Sequence, residues 1–566
     1  MKRGSINGVS TPLKKPKLED DLSLYFGPNK IYYKHPISCG EANKFNNRTR
    51  EKPITLLNDL KSAIETQNTT SRFFLHWFRS DLRLLDNTSL CKTWNEYVKW
   101  KEGKKEGRFI TVFTINEHDW RAHLDGGWKL SFMLKALFSL RDALAKMAVP
   151  LYVLHYQPGT AQLSNSDNFA EWFKNECLGL AKESESVIVS ANAEYESDEL
   201  YRDIRILKKR DDSFNFQVHH DICVLEPCTL KTGKGSIYTI FTPWYKKWAV
   251  EIEAYLKKTD GAFIQKIDDI EDNSKDFEKI QINYELPEEF TSYIPSSTEN
   301  HPEASEAAAI ELLSSFLDQK VNSYDKKDIL RDEGSSHLSC YLSLGLISSR
   351  YIVLQASKKS KQGIISKDIK KNNCLQEFVR EVAWRDFYKN AICNWPYLSM
   401  DLPFKFEMDN LRWKREEETF RKWCSGTTGI PIVDAIMRKL LYTGYINNRA
   451  RMIVASFLSK NLLLDWRWGE RWFRRHLRDY DLSSNVGGWG FCSSTGIDAQ
   501  PYFRIFNMEL QSKRYDPKGD FIKRWVPELK SFSDVHNLAK TAEYHHPIVD
   551  LKQSREEALE AYRQVI

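Results

Sequence analysis

The sequence is poor in the features that mark membrane, secreted and metal-binding proteins. No apolar run reaches membrane-spanning length, and the N-terminus does not have the pattern of a secretory signal. The ten cysteines are scattered, without CxxC pairs or Cys/His groups at metal-ligand spacing. We therefore expect a soluble intracellular protein with reduced core thiols, no metal ion and no membrane partner.

Two further shortages restrict the function. The net charge of +6 is mild, and most proteins with that balance bind no nucleic acid, so composition alone indicates no polyanionic partner. No GxGxxG motif occurs in the N-terminal half, so a dinucleotide is not indicated there. A nucleic-acid function therefore has to be argued from local clusters of residues.

The N-terminal segment has little hydrophobic periodicity and is rich in Lys, Asn, Thr and Ser, which predicts a poorly folded targeting extension over residues 1–71. The cluster Lys14-Lys15-Pro16-Lys17 is typical of a nuclear address. No acidic residue occurs before Glu19, which also suits a mitochondrial leader. We expect the nucleus as the destination and keep the mitochondrion and a plain solvated tail as alternatives.

Short apolar runs alternate with amphipathic ones from Phe73 onward. The runs FFLHWF, FITVFTI, PLYVLHY, SVIVSA and FNFQVHH predict strands. Amphipathic stretches predict helices over residues 129–147, 168–180 and 198–209. This alternation predicts an α/β domain over residues 72–222, with a doubly wound parallel sheet that binds ligands at the carboxyl ends of its strands.

The pattern changes twice more along the chain. It loosens over residues 223–301, which predicts an interdomain linker, and we expect the segment YTIFTPWYKKW to pack that linker onto a domain. From Pro302 strand signals disappear and amphipathic helical patterns dominate. Residues 302–566 are therefore predicted to form an all-α domain.

The stretch 447–507 carries the strongest chemical signal. Its arginines alternate with tryptophans, and two carboxylates and the run NVGGW from Asn485 follow. Cationic donors beside aromatic planes suit a ligand with phosphates and a flat ring. Gly487 and Gly488 have no Cβ, so we expect the backbone to approach such a ligand closely or to turn sharply. A solvated basic face on a tryptophan-rich helical core is the alternative reading.

The order of the motifs decides between these readings. NNRARMIVASFLSKNLLLDWRWGERWF, then DYDLSSNVGGW, then STGIDAQPYFRIFN closely resembles the flavin-binding signature of the DNA photolyase and cryptochrome family. The resemblance runs from about Phe73 to Glu528 and is closest to class I cyclobutane-pyrimidine-dimer photolyases of the fungal, budding-yeast type. It implies a monomeric, light-driven lyase that binds reduced, non-covalent FAD and repairs pyrimidine dimers in DNA.

The resemblance implies a cofactor site built from two segments. Tyr324 and the loop 334–339 correspond to the family's phosphate-binding tyrosine and serine loop, and hydroxyls and amide groups before a helix suit a pyrophosphate. A serine helix cap without a ligand is the alternative for that loop. The implied FAD contacts are Tyr324, Ser335, Ser336, His337, Leu338, Ser339, Arg451, Asp479, Asp481 and Asn485.

Asn485 would face flavin N5, and Arg451 would pair with Asp479 across the flavin. A neutral carboxamide can accept a hydrogen bond from a protonated N5 or donate one to a deprotonated N5, without titrating itself. Tyr480 interrupts the family's usual Asp-Gly-Asp, which leaves the shape of this turn open.

The segment EVAWRDFY places Glu381, Arg385 and Tyr388 at i, i+4 and i+7 of a helix. A core tryptophan beside a surface glutamate is the alternative reading of Glu381 and Trp384. The resemblance implies that Glu381 bonds the pyrimidine carbonyl edge and that Trp384 stacks on the flipped dimer. The implied catalytic residues are Glu381, Trp384, Asn448, Met452 and Asn485. The implied DNA contacts are Lys327, Glu381, Trp384, Arg385, Tyr388, Asn448, Arg449 and Gln511.

Two further roles follow from the resemblance. Trp413, Trp466 and Trp489 match the family's electron-transfer tryptophans, from outer to inner, although each alone is more often a core residue. The segment HWFRSDLRLLDNTSL resembles the antenna-domain signature, and Glu199 lies where folate-type members hold the pterin. This implies a 5,10-methenyltetrahydrofolate antenna, whereas an ordinary first-turn acid of a helix is the alternative for Glu199.

Three rival functions can be weighed on the same residues. A (6-4) photolyase needs a His pair at the positions of Asn448 and Met452, and without imidazoles its proton transfer lacks an acid. Cryptochrome receptors often replace the residue that faces N5 and carry a long C-terminal extension, whereas this chain has Asn485 and ends soon after the flavin domain. A flavin-free nucleic-acid binder is the third rival, which an absorbance spectrum would decide.

Overall fold

The structure covers both predicted domains and part of the N-terminal extension. The computed structural model describes residues 22–26, 37–62, 73–103, 107–157, 166–181, 186–259, 264–265, 267, 280–295, 302–326, 334–360, 363, 373–541 and 544–566. The basic cluster at residues 14–17 and Lys327 lie outside these ranges, so the predictions made for them stay predictions. Within the ranges, no helix is long and apolar enough to cross a bilayer, and no group of His, Cys, Asp and Glu could hold a metal ion.

Part of the N-terminal extension is folded, which corrects the expectation of a poorly folded segment through residue 71. It forms α1 (Ser23–Phe26), α2 (Cys39–Asn46) and α3 (Pro53–Ser62). Tyr25 is fully buried in the helical domain, and its ring centroid lies 5.1 Å from that of Trp472. Periodicity missed these helices because each is short and is stabilised by packing against distant parts of the chain.

The N-terminal domain contains a five-stranded parallel sheet, as predicted. Its strands are β1 (Phe73–Phe78), β2 (Arg108–Ile115), β3 (Leu151–His155), β4 (Val187–Asn192) and β5 (Phe214–His219). The strand order is β3-β2-β1-β4-β5, and every neighbouring pair is parallel. The order reverses between β1 and β4, so the carboxyl ends of these two strands form the crevice where such sheets bind ligands.

Helices cover the sheet. They are α4 (Thr88–Glu102), α5 (Glu117–Ala122), α6 (Gly127–Lys146), α7 (Ser166–Ala181) and α8 (Ser197–Leu207). Three of them, α6, α7 and α8, coincide with the predicted helices. The sequence pattern did not single out α4, whose first turn is capped by the Asn87 side chain.

The predicted linker contains a packed helix. Phe241–Thr259 forms α9 and Glu288–Thr291 forms α10. On α9, Trp244 and Trp248 are buried, and Trp248 Nε1 donates to the Asp386 carboxylate of the helical domain at 3.2 Å. The segment YTIFTPWYKKW therefore contributes to the core as well as to the connection.

The second domain is helical, which confirms the prediction. From residue 302 onward the described residues form helices and turns, with one isolated bridge between Lys414 and Leu464. The helices are α11 (Glu306–Ser315), α12 (Ser339–Ser343), α13 (Ser349–Lys359), α14 (Cys374–Asn394), α15 (Glu417–Ser425), α16 (Pro431–Thr443), α17 (Asn448–Ser456), α18 (Trp466–His476), α19 (Leu482–Ser493), α20 (Met508–Tyr515), α21 (Asp520–Trp525), α22 (Leu538–Thr541) and α23 (Leu551–Arg563). Short π-helical turns at Phe316–Lys320 and Phe457–Asn461 continue α11 and α17.

Buried ion pairs join the two domains at the carboxyl end of the sheet. Arg350 on α13 donates to Asp86 at 3.0 Å and to Asp221 at 2.7 Å, and both carboxylates are buried. Glu306 accepts the backbone N–H groups of the loop after β1, at residues 84 and 85, at 2.9 and 2.8 Å. Removing one partner of such a buried pair costs about 3–5 kcal/mol, so this interface fixes the crevice against the helical domain.

Candidate active site

Asn485 is held in one orientation by Glu470. The Asn485 Nδ2 on α19 donates to the backbone oxygen of Glu470 at 3.1 Å and to its Oε1 at 3.0 Å. Both partners are acceptors, so the amide nitrogen must point toward α18. Both side chains are buried, at 7% and 1% exposure. The Asn485 Oδ1 is consequently the atom presented away from Glu470, as a hydrogen-bond acceptor.

Arg451 reaches from α17 to the turn before α19. Its Nη2 donates to both carboxylate oxygens of Asp479, at 2.8 and 2.7 Å, and its Nε donates to the Ile446 carbonyl at 2.9 Å. Tyr480 is buried between the two aspartates of this turn and donates its hydroxyl to Glu470 at 3.3 Å. The substitution of Tyr for the family's Gly therefore keeps the Arg451–Asp479 pair that the sequence predicted.

Asp481 caps the N-terminus of α19 and is stabilised as an anion. Its Oδ1 accepts from the Ser484 N–H at 2.9 Å, and its Oδ2 lies 2.9 Å from the Lys389 ammonium. Burial acts to raise the pKa of Asp481, but Lys389 and Arg385 outweigh burial and hold this pKa well below its usual range. Lys389 also contacts Glu196 of the sheet domain at 2.6 Å, so one buried lysine links the two domains at this carboxylate.

The two glycines of the NVGGW run have different roles. A Cβ at Gly487 would lie 2.3 Å from the Tyr388 ring, so this glycine allows α14 and α19 to pack closely. A Cβ at Gly488 would meet nothing within 4 Å. The expectation of close approach to a ligand is therefore corrected for Gly487, while Gly488 borders open space one turn after Asn485.

The predicted phosphate loop contains one buried polar atom that no described residue satisfies. The His337 N–H donates to Ser335 Oγ at 3.3 Å, and His337 has a positive φ of 53°. The Ser339 hydroxyl is buried with no hydrogen-bond partner in the part of the chain that the structure describes. Leu338 is buried and Ser336 is half-buried, and Tyr324 packs against Phe378 at 5.8 Å between ring centroids.

The donor set fits the implied cofactor. An unpaired buried hydroxyl suits a phosphate oxygen, and Asn485 Oδ1 suits a ring N–H. The residues that would hold FAD are those of the loop 334–339 together with Arg451, Asp479, Asp481 and Asn485.

Trp384 is a half-buried platform on α14. Its ring stacks on that of Phe241, with centroids 3.6 Å apart and planes inclined by 8°. Glu381, one turn earlier on α14, is also half-buried. The Trp384 indole and the Glu381 carboxyl group, which were predicted to act together, are therefore both partly accessible to solvent and one turn apart on α14.

Two residues of the same motif are directed elsewhere. The Arg385 guanidinium donates to the carbonyls of Ile222 at 2.9 Å and Leu342 at 3.2 Å, at the domain interface. The Tyr388 ring lies against Gly487. The resemblance implied DNA contacts for both residues; the structure shows them in these protein contacts, and their DNA role stays a prediction.

The N-terminus of α17 presents the remaining predicted lesion contacts. Asn448 is exposed, Met452 is half-buried one turn later, and the Arg449 guanidinium lies over the rings of Phe506 and Tyr515, at 5.9 and 5.0 Å. Gln511 on α20 is half-buried, with a buried Oε1 that has no hydrogen-bond partner among the described residues.

An exposed aromatic side chain next to this surface was not singled out from the sequence. Phe503 is 59% exposed, in a loop that continues to Phe506 under Arg449. Arg504 beside it is exposed as well, so the loop combines an apolar and a cationic group.

Two of the three predicted electron-transfer tryptophans, Trp466 and Trp489, are buried in the core of the helical domain, and the third, Trp413, lies at its edge. Trp466 and Trp489 are 2% exposed, and a Cβ at Gly469 would lie 2.1 Å from the Trp489 ring, so α18 and α19 approach closely here. Trp413 is half-buried beside Tyr562, at 6.3 Å between ring centroids. Among the described residues, Trp489 makes ring contacts with Trp423 at 6.2 Å and Phe473 at 5.1 Å rather than with the other two. Their relay role stays a prediction.

A second cleft lies at the crevice between β1 and β4. Glu199 lines it, together with His123, Asp198, Ser399 and Lys389. His123 Nε2 bonds Asp198 at 2.9 Å, and its Nδ1 lies 3.9 Å from Glu199. Burial alone would lower the pKa of His123, but the Asp198 hydrogen bond and the nearby carboxylates raise it to about 9.

Comparison with known proteins agrees with this architecture. A family model for the FAD binding domain of DNA photolyase matches residues 378–564, and one for DNA photolyase matches residues 74–260. The mitochondrial deoxyribodipyrimidine photo-lyase of Saccharomyces cerevisiae is 47% identical over 560 residues, covering 99% of this chain and 98% of that protein. The deoxyribodipyrimidine photo-lyase of Neurospora crassa is 32% identical, with 98% and 93% covered.

A solved structure shows the same fold. The crystal structure of a bacterial class III photolyase from Agrobacterium tumefaciens superposes with a TM-score of 0.69 at 28% identity, covering 89% of this chain and 99% of that one. Together with the matched family models and the near full-length relatives, this means that the chain belongs to the DNA photolyase family.

Proposed function

We propose that the protein is a deoxyribodipyrimidine photo-lyase, which splits cyclobutane pyrimidine dimers in DNA with light and reduced, non-covalent FAD. The observation that carries this proposal is the packing of α14 on α19 through Tyr388 and Gly487. One of these helices presents Trp384 and Glu381, and the other presents Asn485. A base platform and a flavin-facing amide are thereby held on two helices in direct contact.

Asn485 would act on the flavin ring through a fixed acceptor. When bound, reduced FAD supplies the electron that blue light promotes onto the dimer. Because Glu470 takes both amide hydrogens of Asn485, the Oδ1 can accept a hydrogen bond from the protonated ring nitrogen N5. The amide holds that proton without titrating, and the Arg451–Asp479 pair places no net charge beside the ring.

The lesion would bind on the accessible side of α14 and α17. A dimer flipped out of the duplex can stack on Trp384, with Glu381 at its polar edge and with Asn448 and Met452 at the opposite wall. Arg449 would contact a phosphate. Phe503 is exposed and adjacent, so it is suited to the apolar gap that a flipped pair of bases leaves in the stack.

The second cleft is the proposed antenna site. Glu199 lies at the carboxyl end of the sheet, where such sheets bind ligands, and a pterin offers N–H groups to a carboxylate. We propose 5,10-methenyltetrahydrofolate as the ligand and Glu199 as its anchor. Ser399 and Lys389, from the helical domain, line the same cleft, so a chromophore there would contact both domains.

For localisation, the yeast relative is named as mitochondrial, which favours the mitochondrion for this protein and leaves the nucleus as a second destination. We also propose that the protein acts as a monomer.

A repair assay tests the proposed function. The purified protein is expected to release one FAD on denaturation and, after reduction in the dark, to split thymine dimers in a duplex only under blue light. Asn485→Ala is expected to retain the fold and lose most of the repair. Absence of flavin from several preparations, or repair that proceeds equally in darkness, would contradict the proposal.

A further inference from the structure

We propose that Lys460 is a positioning residue for lesion recognition, because its buried ammonium closes the loop 494–502 that connects the Trp384 platform with Phe503. This inference rests on the proposed function and adds to it a residue that contacts neither DNA nor flavin.

Lys460 lies in the π-helical turn Phe457–Asn461 and is 0% exposed. Its Nζ donates to Ser494 Oγ at 2.9 Å and to the Tyr502 carbonyl at 3.2 Å. The ammonium also lies 3.7 Å from the centroid of the Tyr562 ring. One cation therefore joins the first and last residues of the loop and rests on the C-terminal helix α23.

No carboxylate forms an ion pair with Lys460 within the described ranges, and a buried ammonium without one is unfavourable. Burial lowers the pKa of Lys460 to about 7, with Lys405 lowering it further and Cys492 acting in the opposite sense. An apolar side chain of the same length would fill this site without that penalty. We therefore expect the two hydrogen bonds of Lys460 to have a function that offsets the cost of burying its ammonium group.

The loop that Lys460 closes is attached to the lesion platform. Asp498, near its middle, accepts the Phe241 N–H at 3.1 Å, and Phe241 stacks on Trp384. At its far end the Tyr502 ring contacts the ring of Phe503, at 5.6 Å. A change at Lys460 is therefore transmitted to both surfaces that would receive DNA.

The other ionisable groups around Lys460 do not titrate near neutral pH. Burial raises the pKa of the Cys492 thiol on α19 to about 12, and burial also raises the pKa of Tyr562 on α23 above its usual range. Lys405, from the segment before α15, contributes repulsion. The protonated lysine forms charge-assisted hydrogen bonds, which are about twice as strong as those of the neutral amine. The loop should therefore be held best below pH 7.

The test compares Lys460→Met with the wild-type holoenzyme at pH 6 and pH 8. The measured quantity is the ratio of affinities for one duplex with and without a single thymine dimer, in darkness. We expect the wild-type ratio to fall as the pH passes through about 7. In Lys460→Met the ratio should be about tenfold lower at pH 6, the scale of one lost stacking contact, and should not change with pH. A wild-type ratio in the variant would overturn the inference.

A second readout does not depend on DNA. Hydrogen exchange of the peptide covering residues 494–503 should be faster in Lys460→Met than in the wild type at the same pH, while exchange of α19 is unchanged. Ser494→Ala removes one of the two hydrogen bonds and should shift exchange in the same direction by less. If Lys460→Met does not fold, unchanged exchange in Ser494→Ala together with a flat wild-type pH profile would overturn the inference. A wild type without any lesion preference would instead refute the proposed function, and the exchange result would still decide the role of Lys460.

Discussion

Phe241 stacks face to face on Trp384, with 3.6 Å between the ring centroids. Phe241 begins α9, in the region that the sequence suggested to be a linker, whereas Trp384 belongs to α14. Because Phe241 covers one face of the indole, a base can stack only on the other. This makes Trp384 a one-sided platform whose tilt is set by a residue far away in the sequence.

Removing the platform should affect damaged DNA selectively. Trp384→Ala takes away a stacking contact of about 1–3 kcal/mol, so affinity for a dimer-containing duplex should fall roughly 5- to 150-fold. Phe241→Leu keeps apolar contact but loses the flat support, and should lower the same affinity by a smaller factor. Undamaged duplex, held through phosphates, serves as the control and should change little. Equal losses for both duplexes would show that the dimer does not stack there.

Glu470 should affect repair through Asn485, although its carboxylate also accepts from Tyr480 and Arg474. Glu470→Ala removes the Oε1 acceptor and leaves only the backbone carbonyl to hold the amide, so Asn485 is fixed by one hydrogen bond instead of two and is freer to turn its NH₂ group toward the flavin. We expect repair per absorbed photon in the pre-reduced enzyme to fall by roughly 5- to 150-fold, the scale of one unsatisfied buried group of about 1–3 kcal/mol.

The double variant Glu470→Ala/Asn485→Ala separates this role from a general loss of stability. If Glu470 acts through Asn485, the double variant should repair no worse than Asn485→Ala alone. Additive losses would show that Glu470 has an independent function in the core.

The tryptophan relay can be tested with a matched control. Trp466→Phe should block the photoreduction of oxidised flavin and leave repair by the pre-reduced enzyme nearly intact, because the relay feeds the flavin and not the dimer. Trp423→Phe is the control, since Trp423 is equally buried and contacts the Trp489 ring, but lies outside the predicted relay. Photoreduction lost in Trp423→Phe and retained in Trp466→Phe would assign the route to Trp423.

Features of the fold and site could be predicted where the sequence pattern itself carries the signal, and could not be predicted where they depend on contacts between distant segments. Strand β1 could be recognised because all six residues of FFLHWF are buried, so the run is apolar at every position except His76. Arg451 and Asp479 could be paired because the order of motifs resembles a known signature. The face of α14 could not be assigned in the same way. Helical periodicity places Arg385 near Glu381, but it does not show that Ile222 and Leu342 occupy that guanidinium.

Contacts between distant segments are what the sequence could not provide. Phe241 on Trp384 and Glu470 on Asn485 each depend on how two helices pack, and neither has a local pattern. The folded part of the N-terminal extension was missed for the same reason, since Tyr25 is buried only because Trp472 and Phe420 are there to receive it.

The extension should therefore contribute to stability. Tyr25→Ala removes a fully buried aromatic ring and should lower the free energy of unfolding by about 3–5 kcal/mol, as for other large-to-small core substitutions. Leu24→Ala is the control in the same helix, because Leu24 is 49% exposed, and should change stability by less than about 0.5 kcal/mol. Denaturant unfolding measures both. Similar small effects would mean that α1 is detached in solution.

The antenna should be lost in acid. Burial, together with Glu196 and Asp198, raises the pKa of Glu199 to about 7, although His123 acts to lower it. A pterin N–H needs the ionised carboxylate as its acceptor, so binding must remove the proton whenever the pH lies below this pKa. Apparent folate affinity should then fall by about tenfold for each pH unit well below 7, and should level off above it.

Two substitutions in the same cleft decide whether Glu199 is responsible. Glu199→Gln cannot ionise, so it should bind folate weakly and without that pH dependence. Glu194→Gln is the matched control: burial acts to raise the pKa of Glu194, but Arg79 and Arg202 hold it at about 2, so this carboxylate stays ionised over the whole range. The control should keep the wild-type slope, measured by folate fluorescence retained on the protein between pH 5 and pH 8. If the pH dependence vanishes in Glu194→Gln and persists in Glu199→Gln, a group other than Glu199 anchors the pterin. The pH dependence of folate binding would then come from a residue that is still present when Glu199 cannot ionise.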